Sequence, residues 1–240
     1  MNIKLYKAKK LEKIIKRKVL KTNIILDIGC GIRPQNFITP IIHICAEPFE
    51  QYIKKLQELS ESTIDRSYLI IKSSWEDIIK IMPENSVDTI FLLDVIEHIN
   101  KNKGKNLLKE TEKIARKQII IFTPLGFLPQ VSNNGKDAWG MDGGKWQEHK
   151  SGWVPEDFDN SWEIYASKEY HFFDHSGNKY QNPYGAFYAI KTKKFKESLI
   201  NKIIKKCFLI NNFLISKPVL IINNYKKINK ILNKMLNAKK

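Results

Sequence analysis

The stretch IILDIGCGIRP, residues 24–34, decides the fold of this chain. Apolar residues lead into Asp27, and Gly29 and Gly31 follow with one residue between them. This order predicts a buried strand that ends in a tight turn, because glycine adopts positive φ cheaply and lets the backbone approach a ligand closely. The pattern indicates a cofactor site at the first strand-to-helix turn of an α/β sheet.

Residues next to this turn exclude two common phosphate-binding loops. A dinucleotide-binding fingerprint needs a third glycine at position 34, where this chain has Pro34. Pro34 also restricts Arg33 to extended geometry and lacks a backbone N–H. The Gly-Lys-Ser or Gly-Lys-Thr of a phosphate-cradling loop is absent from the turn. The turn is therefore not predicted to hold a pyrophosphate.

Strand and helix patterns alternate after this point, which implies a parallel sheet with right-handed crossovers. A single domain over residues 23–190 accounts for the alternation. The turn GNKYQNP precedes its last strand. We predict strands at 23–28, 41–46, 68–72, 87–93, 118–122 and 184–190, a short helix followed by a strand within 155–165, and helices at 49–59, 75–82 and 104–116.

The net charge of +16 over 240 residues lies at the two ends of the chain. Residues 1–23 carry +8 and residues 191–240 carry +13, which leaves −5 for the middle. The acidic middle disfavours nucleic acid as a partner of the main domain. We interpret residues 1–22 as a basic N-terminal helix and 191–240 as a basic amphipathic helical tail. Solvated lysine faces explain both ends, and attraction of the tail to an anionic membrane surface or partner is the alternative.

Cysteine usage and hydropathy favour a cytoplasmic protein. The three cysteines, Cys30, Cys45 and Cys207, have no metal-like spacing and suit a reducing compartment. No stretch reaches the roughly 18 uncharged apolar residues of a transmembrane helix. The basic N-terminus has no apolar h-region, so it is not predicted to be a secretory signal. Peripheral contact with the inner membrane face through the tail is compatible with this interpretation.

Two further features point to ligand chemistry. Glu47 lies 20 residues after Asp27, at the end of the second strand, where an acid can accept both ribose hydroxyl hydrogens. A helix follows it, so capping is the alternative role. The irregular, tryptophan-containing segment 124–160 is predicted to be a substrate lid. Its His149, in HKSGWVPEDF, is a candidate general base because the ordinary pKa of histidine is near neutral; a structural hydrogen bond is the alternative.

Five features in order resemble the class I S-adenosylmethionine (SAM) dependent methyltransferases of the small-molecule and glycan type. They are the D-x-G-x-G turn, Glu47, the VIEH segment after the strand VDTIFLL, the Thr-Pro exit of the strand QIIIF, and the HKSGW insert. The resemblance implies SAM as cofactor and an α/β, Rossmann-like sheet. That sheet is mostly parallel with an antiparallel last strand, has helices on both faces, and here carries a C-terminal helical extension.

The resemblance also implies roles for individual residues. Asp27 and the glycines lie near the methionine end of the cofactor, with Cys30 between the glycines. Ser74 stands where these enzymes often have an adenine-binding Asp, and Trp75 follows it. Leu93 and Asp94 flank the methyl group. The implied cofactor-binding residues are thus Asp27, Gly29, Cys30, Gly31, Glu47, Ser74, Trp75, Leu93 and Asp94.

Catalytic roles are implied for Asp94, His98 and His149. His98 is a candidate general base, or a metal ligand with Glu97. Adjacent side chains point in different directions, so we predict no metal site; hydrogen bonds that tie loops together are the alternative role. The expected reaction is direct methyl transfer to an oxygen of a sugar, a glycolipid precursor or another small metabolite. The alternatives are an RNA or protein methyltransferase that uses the basic ends, and a non-catalytic SAM-fold module.

Overall fold

A computed structural model describes residues 3–132, 135–174 and 176–194. Within these residues, eight strands form one sheet and four α-helices pack on it. The strands are β1 (Ile3–Leu5), β2 (Ile24–Ile28), β3 (Ile42–Glu47), β4 (Ser67–Lys72), β5 (Val87–Leu93), β6 (Ala115–Pro124), β7 (Glu163–Phe173) and β8 (Lys179–Thr192). The helices are α1 (Ala8–Lys18), α2 (Glu50–Ser62), α3 (Trp75–Ile81) and α4 (Lys101–Ile114).

The sheet has the order β1-β7-β8-β6-β5-β2-β3-β4. Strands β2 to β6 pair in parallel with their neighbours, whereas β8 is antiparallel to both β6 and β7. This confirms the predicted mostly parallel sheet with an antiparallel last strand. The five parallel strands therefore end at the same edge, which is where open α/β sheets bind ligands.

Alternation along the central strands divides the core into two apolar layers. In β2, Ile25 faces the layer that contains Leu11 and Ile15 of α1, and Leu26 faces the layer that contains Ile78 of α3 and Leu107 of α4. Successive side chains of a strand point to opposite faces, so a sheet covered by helices on both sides needs apolar residues at every position. The predicted helices on both faces are confirmed.

Several predicted boundaries were wrong, among them the end of the helix predicted over 104–116, because Ala115 and Arg116 belong to β6. The N-terminal helix does not include Ile3–Leu5, which form β1 and pair in parallel with the edge strand β7. The segment GNKYQNP is mostly strand, because β8 begins at Lys179 and extends the hairpin as far as the pair Phe173 and Lys179. The tail does not begin at 191, since β8 continues to Thr192. The rest of the predicted tail, 195–240, lies outside the described residues. None of the described helices is both long and apolar enough to cross a bilayer.

Candidate active site

A cavity of about 620 Å³ opens at the carboxyl edge of the parallel strands. The turn after β2 and the end of β5 line its floor, through Gly29, Cys30, Gly31, Leu93 and Asp94. Phe122 and Pro124, at the end of β6, continue the wall. Five of the predicted cofactor residues are therefore brought together at one opening.

The backbone of the turn needs both glycines. Gly29 has φ +64° and Gly31 has φ +55°, in the left-handed region that side chains disfavour. A Cβ on Gly29 would lie 3.2 Å from Val95, and one on Gly31 would lie 3.2 Å from the Trp139 ring. The turn thus presents bare backbone to the cavity, as the sequence predicts.

Asp27 lies beneath the turn. Within the described residues, its side chain does not line the cavity. Its Oδ2 accepts hydrogen bonds from the Gln35 backbone N–H at 2.7 Å and from His43 Nε2 at 3.2 Å. Burial lowers the pKa of His43, but hydrogen bonds to Asp27 and Cys45 outweigh it and raise that pKa to about 9. This pKa favours a protonated His43 paired with Asp27, although His43 Nδ1 has no hydrogen-bond partner among the described residues. Asp27 is not among the residues that line the cavity, and its Oδ2 is engaged by Gln35 and His43, so its contact with the cofactor stays a prediction.

Glu47 joins the ends of two neighbouring strands. Its Oε2 accepts the Gly31 N–H and its Oε1 accepts the Phe49 N–H, each at 3.0 Å. Phe49 is the N-cap residue of α2, so this bond lies at the start of the helix, and the alternative capping role stays a prediction. Burial raises the pKa of Glu47 to about 7 despite these two N–H donors. The ribose role stays a prediction.

The flap, which we define as residues 135–147, folds over the glycine turn. The Tyr52 hydroxyl of α2 donates to Asp137 Oδ2 at 2.5 Å. The Trp139 ring packs on Gly31, and its edge meets the Tyr52 ring at 5.2 Å between centroids. This half of the predicted substrate lid therefore covers the predicted cofactor side of the cavity.

Ser74 and Trp75 lie away from the cavity in the region that the structure describes. The Ser74 hydroxyl caps α3, where it accepts the Asp77 N–H at 3.2 Å and donates to the Asp77 carboxylate at 2.7 Å. Trp75 packs against the core and borders a separate groove beside α4. The prediction that both residues bind the cofactor is not supported by this placement, because capping and packing already engage them.

A short 3-10 turn, Ile96–His98, follows β5 and carries the VIEH residues. Asp94 precedes it with φ +53°, is exposed, and lines the cavity. Desolvation by the surrounding protein raises the pKa of Asp94 to about 6, although its contact with Glu97 opposes the rise. Leu93 and Asp94 thus lie where the sequence places them.

The HKSGW segment is fixed against this turn. Trp153 is fully buried and donates from Nε1 to the Ile96 carbonyl at 3.0 Å. The Ser151 hydroxyl donates to the Ile99 carbonyl at 2.7 Å, and the Lys150 N–H donates to the Glu97 carbonyl at 2.7 Å. This half of the predicted lid is therefore part of the core, and its role is to hold His149 beside VIEH.

The two predicted catalytic histidines face each other across 4.8 Å between ring centroids. His98 Nδ1 contacts the Glu148 carbonyl at 3.1 Å, and His149 Nδ1 contacts the Leu128 carbonyl at 2.6 Å. A carbonyl can only accept, so a neutral ring donates from Nδ1 at each of these contacts, which leaves a lone pair on Nε2 of His149. The His98 ring also contacts the Asp94 backbone. Burial lowers both pKa values, with His98 at about 4, so both rings are neutral near pH 7.

Glu97 completes this group, although it was not among the predicted catalytic residues. Its side chain is 2% exposed, and its Oε2 accepts the Thr123 hydroxyl at 3.1 Å. Its Oε1 has no hydrogen-bond partner among the described residues. Burial and the nearby Asp94 raise the pKa of Glu97 well above its usual range. The sequence signal was its place beside His98 in VIEH.

The opposite wall of the cavity comes from elements that sequence reasoning did not assign to the site. Glu12 of α1 accepts a hydrogen bond from the Tyr170 hydroxyl of β7 at 2.9 Å. His171 and Tyr188 of the β7–β8 hairpin line the same wall. No local sequence pattern predicts that these residues line the site. Glu12 lies in a lysine-rich helix, and the sequence of the hairpin predicts a turn.

Comparison with known proteins supports the fold. No family model matches the chain, and no curated protein matches it. A SAM-dependent methyltransferase from Methanosarcina mazei superposes with a TM-score of 0.50 at 13% identity, covering 76% of this chain and 98% of that one. The Synechocystis PCC 6803 magnesium protoporphyrin IX methyltransferase ChlM, with bound SAH, gives a TM-score of 0.46 at 12% identity over 76% and 80% of the two chains.

The cyclopropane synthase MmaA2 from Mycobacterium tuberculosis gives a TM-score of 0.40 at 17% identity over 50% of this chain. The matched region spans only 43% of the length of MmaA2. The superposition on the Methanosarcina mazei structure, together with the strand order, shows that the chain has the class I methyltransferase fold.

Proposed function

We propose that this protein is a SAM-dependent methyltransferase that methylates an oxygen of a small acceptor such as a sugar, a glycolipid precursor or another small metabolite. One observation carries the proposal: the glycine turn and a pair of neutral histidines open into one cavity at the carboxyl edge of a class I methyltransferase sheet. A fold alone does not fix function, so the argument rests on this juxtaposition.

SAM would lie on the glycine-turn side of the cavity. The bare backbone of Gly29–Gly31 allows close approach, and Leu93 and Asp94 border the same space. The flap covers this side through Trp139 and the Tyr52–Asp137 hydrogen bond. A covered, partly apolar site suits a cofactor with an adenine ring and a charged sulfonium.

Methyl transfer itself requires little from the protein beyond alignment and proton removal. The acceptor oxygen attacks the methyl carbon, the new C–O bond forms, and the C–S bond breaks to leave a neutral thioether. The acceptor hydroxyl must lose its proton as the oxygen attacks. His149 Nε2 is neutral, carries a lone pair and is held beside the cavity, so it can accept that proton.

The size and lining of the cavity favour a small acceptor. A volume of about 620 Å³ falls within the range of small-molecule sites. The residues that line the cavity include Tyr170, Tyr180, Tyr188 and Glu12. Aromatic faces and a hydrogen-bond acceptor suit a polyhydroxylated ring.

Two measurements test the proposal. Calorimetry should detect SAM binding to the full chain, and a SAH-release assay against sugars, sugar nucleotides and glycolipid headgroups should identify the acceptor. SAM binding with activity on RNA alone would replace the small-molecule acceptor by the RNA alternative. If no SAM binds at high micromolar concentration, the enzyme hypothesis is wrong.

A further inference from the structure

Three side chains from two separate sequence motifs converge beside the cavity, which two of them, His98 and His149, line. Glu97, His98 and His149 each offer a ligating atom within 4.8 Å of the other two. Atoms bound to one ion at about 2.1 Å lie roughly 3 to 4 Å apart, so a small inward movement would complete a coordination site. The fixed HKSGW segment holds His149 at this place.

Both histidines are oriented in the way that metal-binding histidines are. Each donates its Nδ1–H to a backbone carbonyl, of Glu148 for His98 and of Leu128 for His149. Such a bond fixes the tautomer and leaves Nε2 as the ligand atom.

The third group supplies an independent observation. Glu97 Oε2 accepts from Thr123, and Oε1 is buried without a hydrogen-bond donor among the described residues. The other side-chain contact of the Glu97 carboxyl is with the Asp94 carboxyl. An unpaired carboxylate oxygen in a 2% exposed side chain is costly. A cation at this point would satisfy Oε1, and the neighbouring Asp94 carboxylate would add to its attraction.

We propose that Glu97, His98 and His149 bind a divalent transition-metal ion that coordinates the acceptor oxygen. Two imidazoles and one carboxylate favour Mn²⁺, Co²⁺, Fe²⁺ or Zn²⁺ over Mg²⁺, which prefers oxygen ligands. Three protein ligands leave positions open, and the cavity gives access to them. The proposal replaces our sequence-based prediction of no metal site, which considered only the adjacent Glu97 and His98.

The role of the ion rests on the proposed methyl transfer. A metal-bound acceptor hydroxyl has a lowered pKa, so its proton leaves to water through the open cavity and the oxygen attacks the methyl carbon. In this arrangement the Nε2 lone pair of His149 coordinates the ion and cannot accept the proton of the acceptor. The ion would therefore take the place of His149 as the group that activates the hydroxyl.

Metal titration of the chelator-treated full chain tests the site directly. Calorimetry with Mn²⁺, Co²⁺ and Zn²⁺, together with Mn²⁺ electron paramagnetic resonance, should show a single ion per chain. Glu97→Gln and His149→Gln should each weaken binding by at least about tenfold. His171→Gln is the matched control, because His171 faces the same cavity outside the cluster, and it should leave the affinity unchanged.

A visible absorption band on Co²⁺ addition gives a second readout that needs no substrate, and the half-buried His149→Gln remains informative if Glu97→Gln fails to fold. Absence of binding at millimolar metal, or binding that neither variant weakens, would overturn the site. Full methyl transfer by the chelated protein would overturn the role of the ion while the proposed function stands. Metal binding without any SAM binding would leave the site intact and overturn the proposed function.

Discussion

The glycine turn and the Glu97–His98–His149 cluster use buried carboxylates in opposite ways. At the turn, both acids accept hydrogen bonds from the protein: Asp27 Oδ2 accepts from Gln35 N–H and His43, and the two oxygens of Glu47 each accept from a backbone N–H. At the cluster, Glu97 keeps an oxygen without a partner in the described residues. Because buried polar groups are normally satisfied, the contrast separates groups that shape the backbone from groups kept for a ligand.

The largest effect should come from the cluster. His149→Gln removes the neutral Nε2 that serves as base or metal ligand, and we expect it to lower kcat by about 10²- to 10⁴-fold. The affinity for SAM should change by no more than about twofold, because the glycine turn is intact. Steady-state SAH release with the identified acceptor and SAM calorimetry measure the two quantities.

The control for this experiment is His171→Gln, another neutral histidine of the same cavity. Its effect on kcat should be much smaller than that of His149→Gln. Wild-type turnover in His149→Gln, or a parallel loss of SAM affinity, would show that the two regions do not have separate tasks.

The next effect concerns stability at the glycine turn. His43 has its pKa raised to about 9 in the folded protein, against about 6.5 when unfolded. The folded state therefore binds more protons between these values. The stability that this provides is fully present below pH 6.5, is lost as pH rises to about 9, and amounts to at most about 3 kcal/mol.

Urea denaturation at several pH values tests this interpretation. The free energy of unfolding of the wild type should fall over that window relative to His43→Gln, which lacks the titrating group. Imidazole NMR of the wild type gives an independent pKa. Parallel pH profiles for the two proteins would mean that the Asp27–His43 pair is not charged, and the turn would then lack the ion pair that distinguishes it.

The sequence predicted the glycine turn, the parallel sheet and the two motifs of the cluster because each has a local pattern. The direction of Asp27 was not predictable in this way, since it depends on the register that pairs Ile25 with His43 and so places Asp27 and His43 on one face. The contact of Glu12 with Tyr170 spans 158 residues and leaves no local signature. Glu97 was considered as a metal ligand only together with its neighbour His98. The sequence does not show that His149 lies close to both, because that proximity depends on the packing of Trp153.

A moderate loss of SAM affinity is expected when the glycine turn is changed, and not when a glycine elsewhere in the fold is changed. A Cβ at Gly31 would be strained at φ +55° and would meet the Trp139 ring at 3.2 Å. We expect Gly31→Ala to weaken SAM binding by about tenfold, because the flap must shift and the left-handed conformation costs about 1 kcal/mol or more. Gly177→Ala, at φ +84° with nothing within 4 Å, is the matched control. Equal loss of SAM affinity in both variants would show that backbone strain in general, rather than the turn, weakens binding.

The smallest effect should come from the flap. The Tyr52 hydroxyl donates to Asp137 Oδ2, whereas the other oxygen of Asp137 still accepts from the Trp139 and Met141 N–H groups. Tyr52→Phe therefore loosens the link between flap and α2 without unfolding the flap, at a cost of about 1 kcal/mol. SAM affinity should fall by about fivefold, with metal binding unchanged, because the cluster does not contact the flap through this bond. A weaker metal affinity in Tyr52→Phe would couple the two regions, and the division between a structural turn and a ligand-binding cluster would then have to be abandoned.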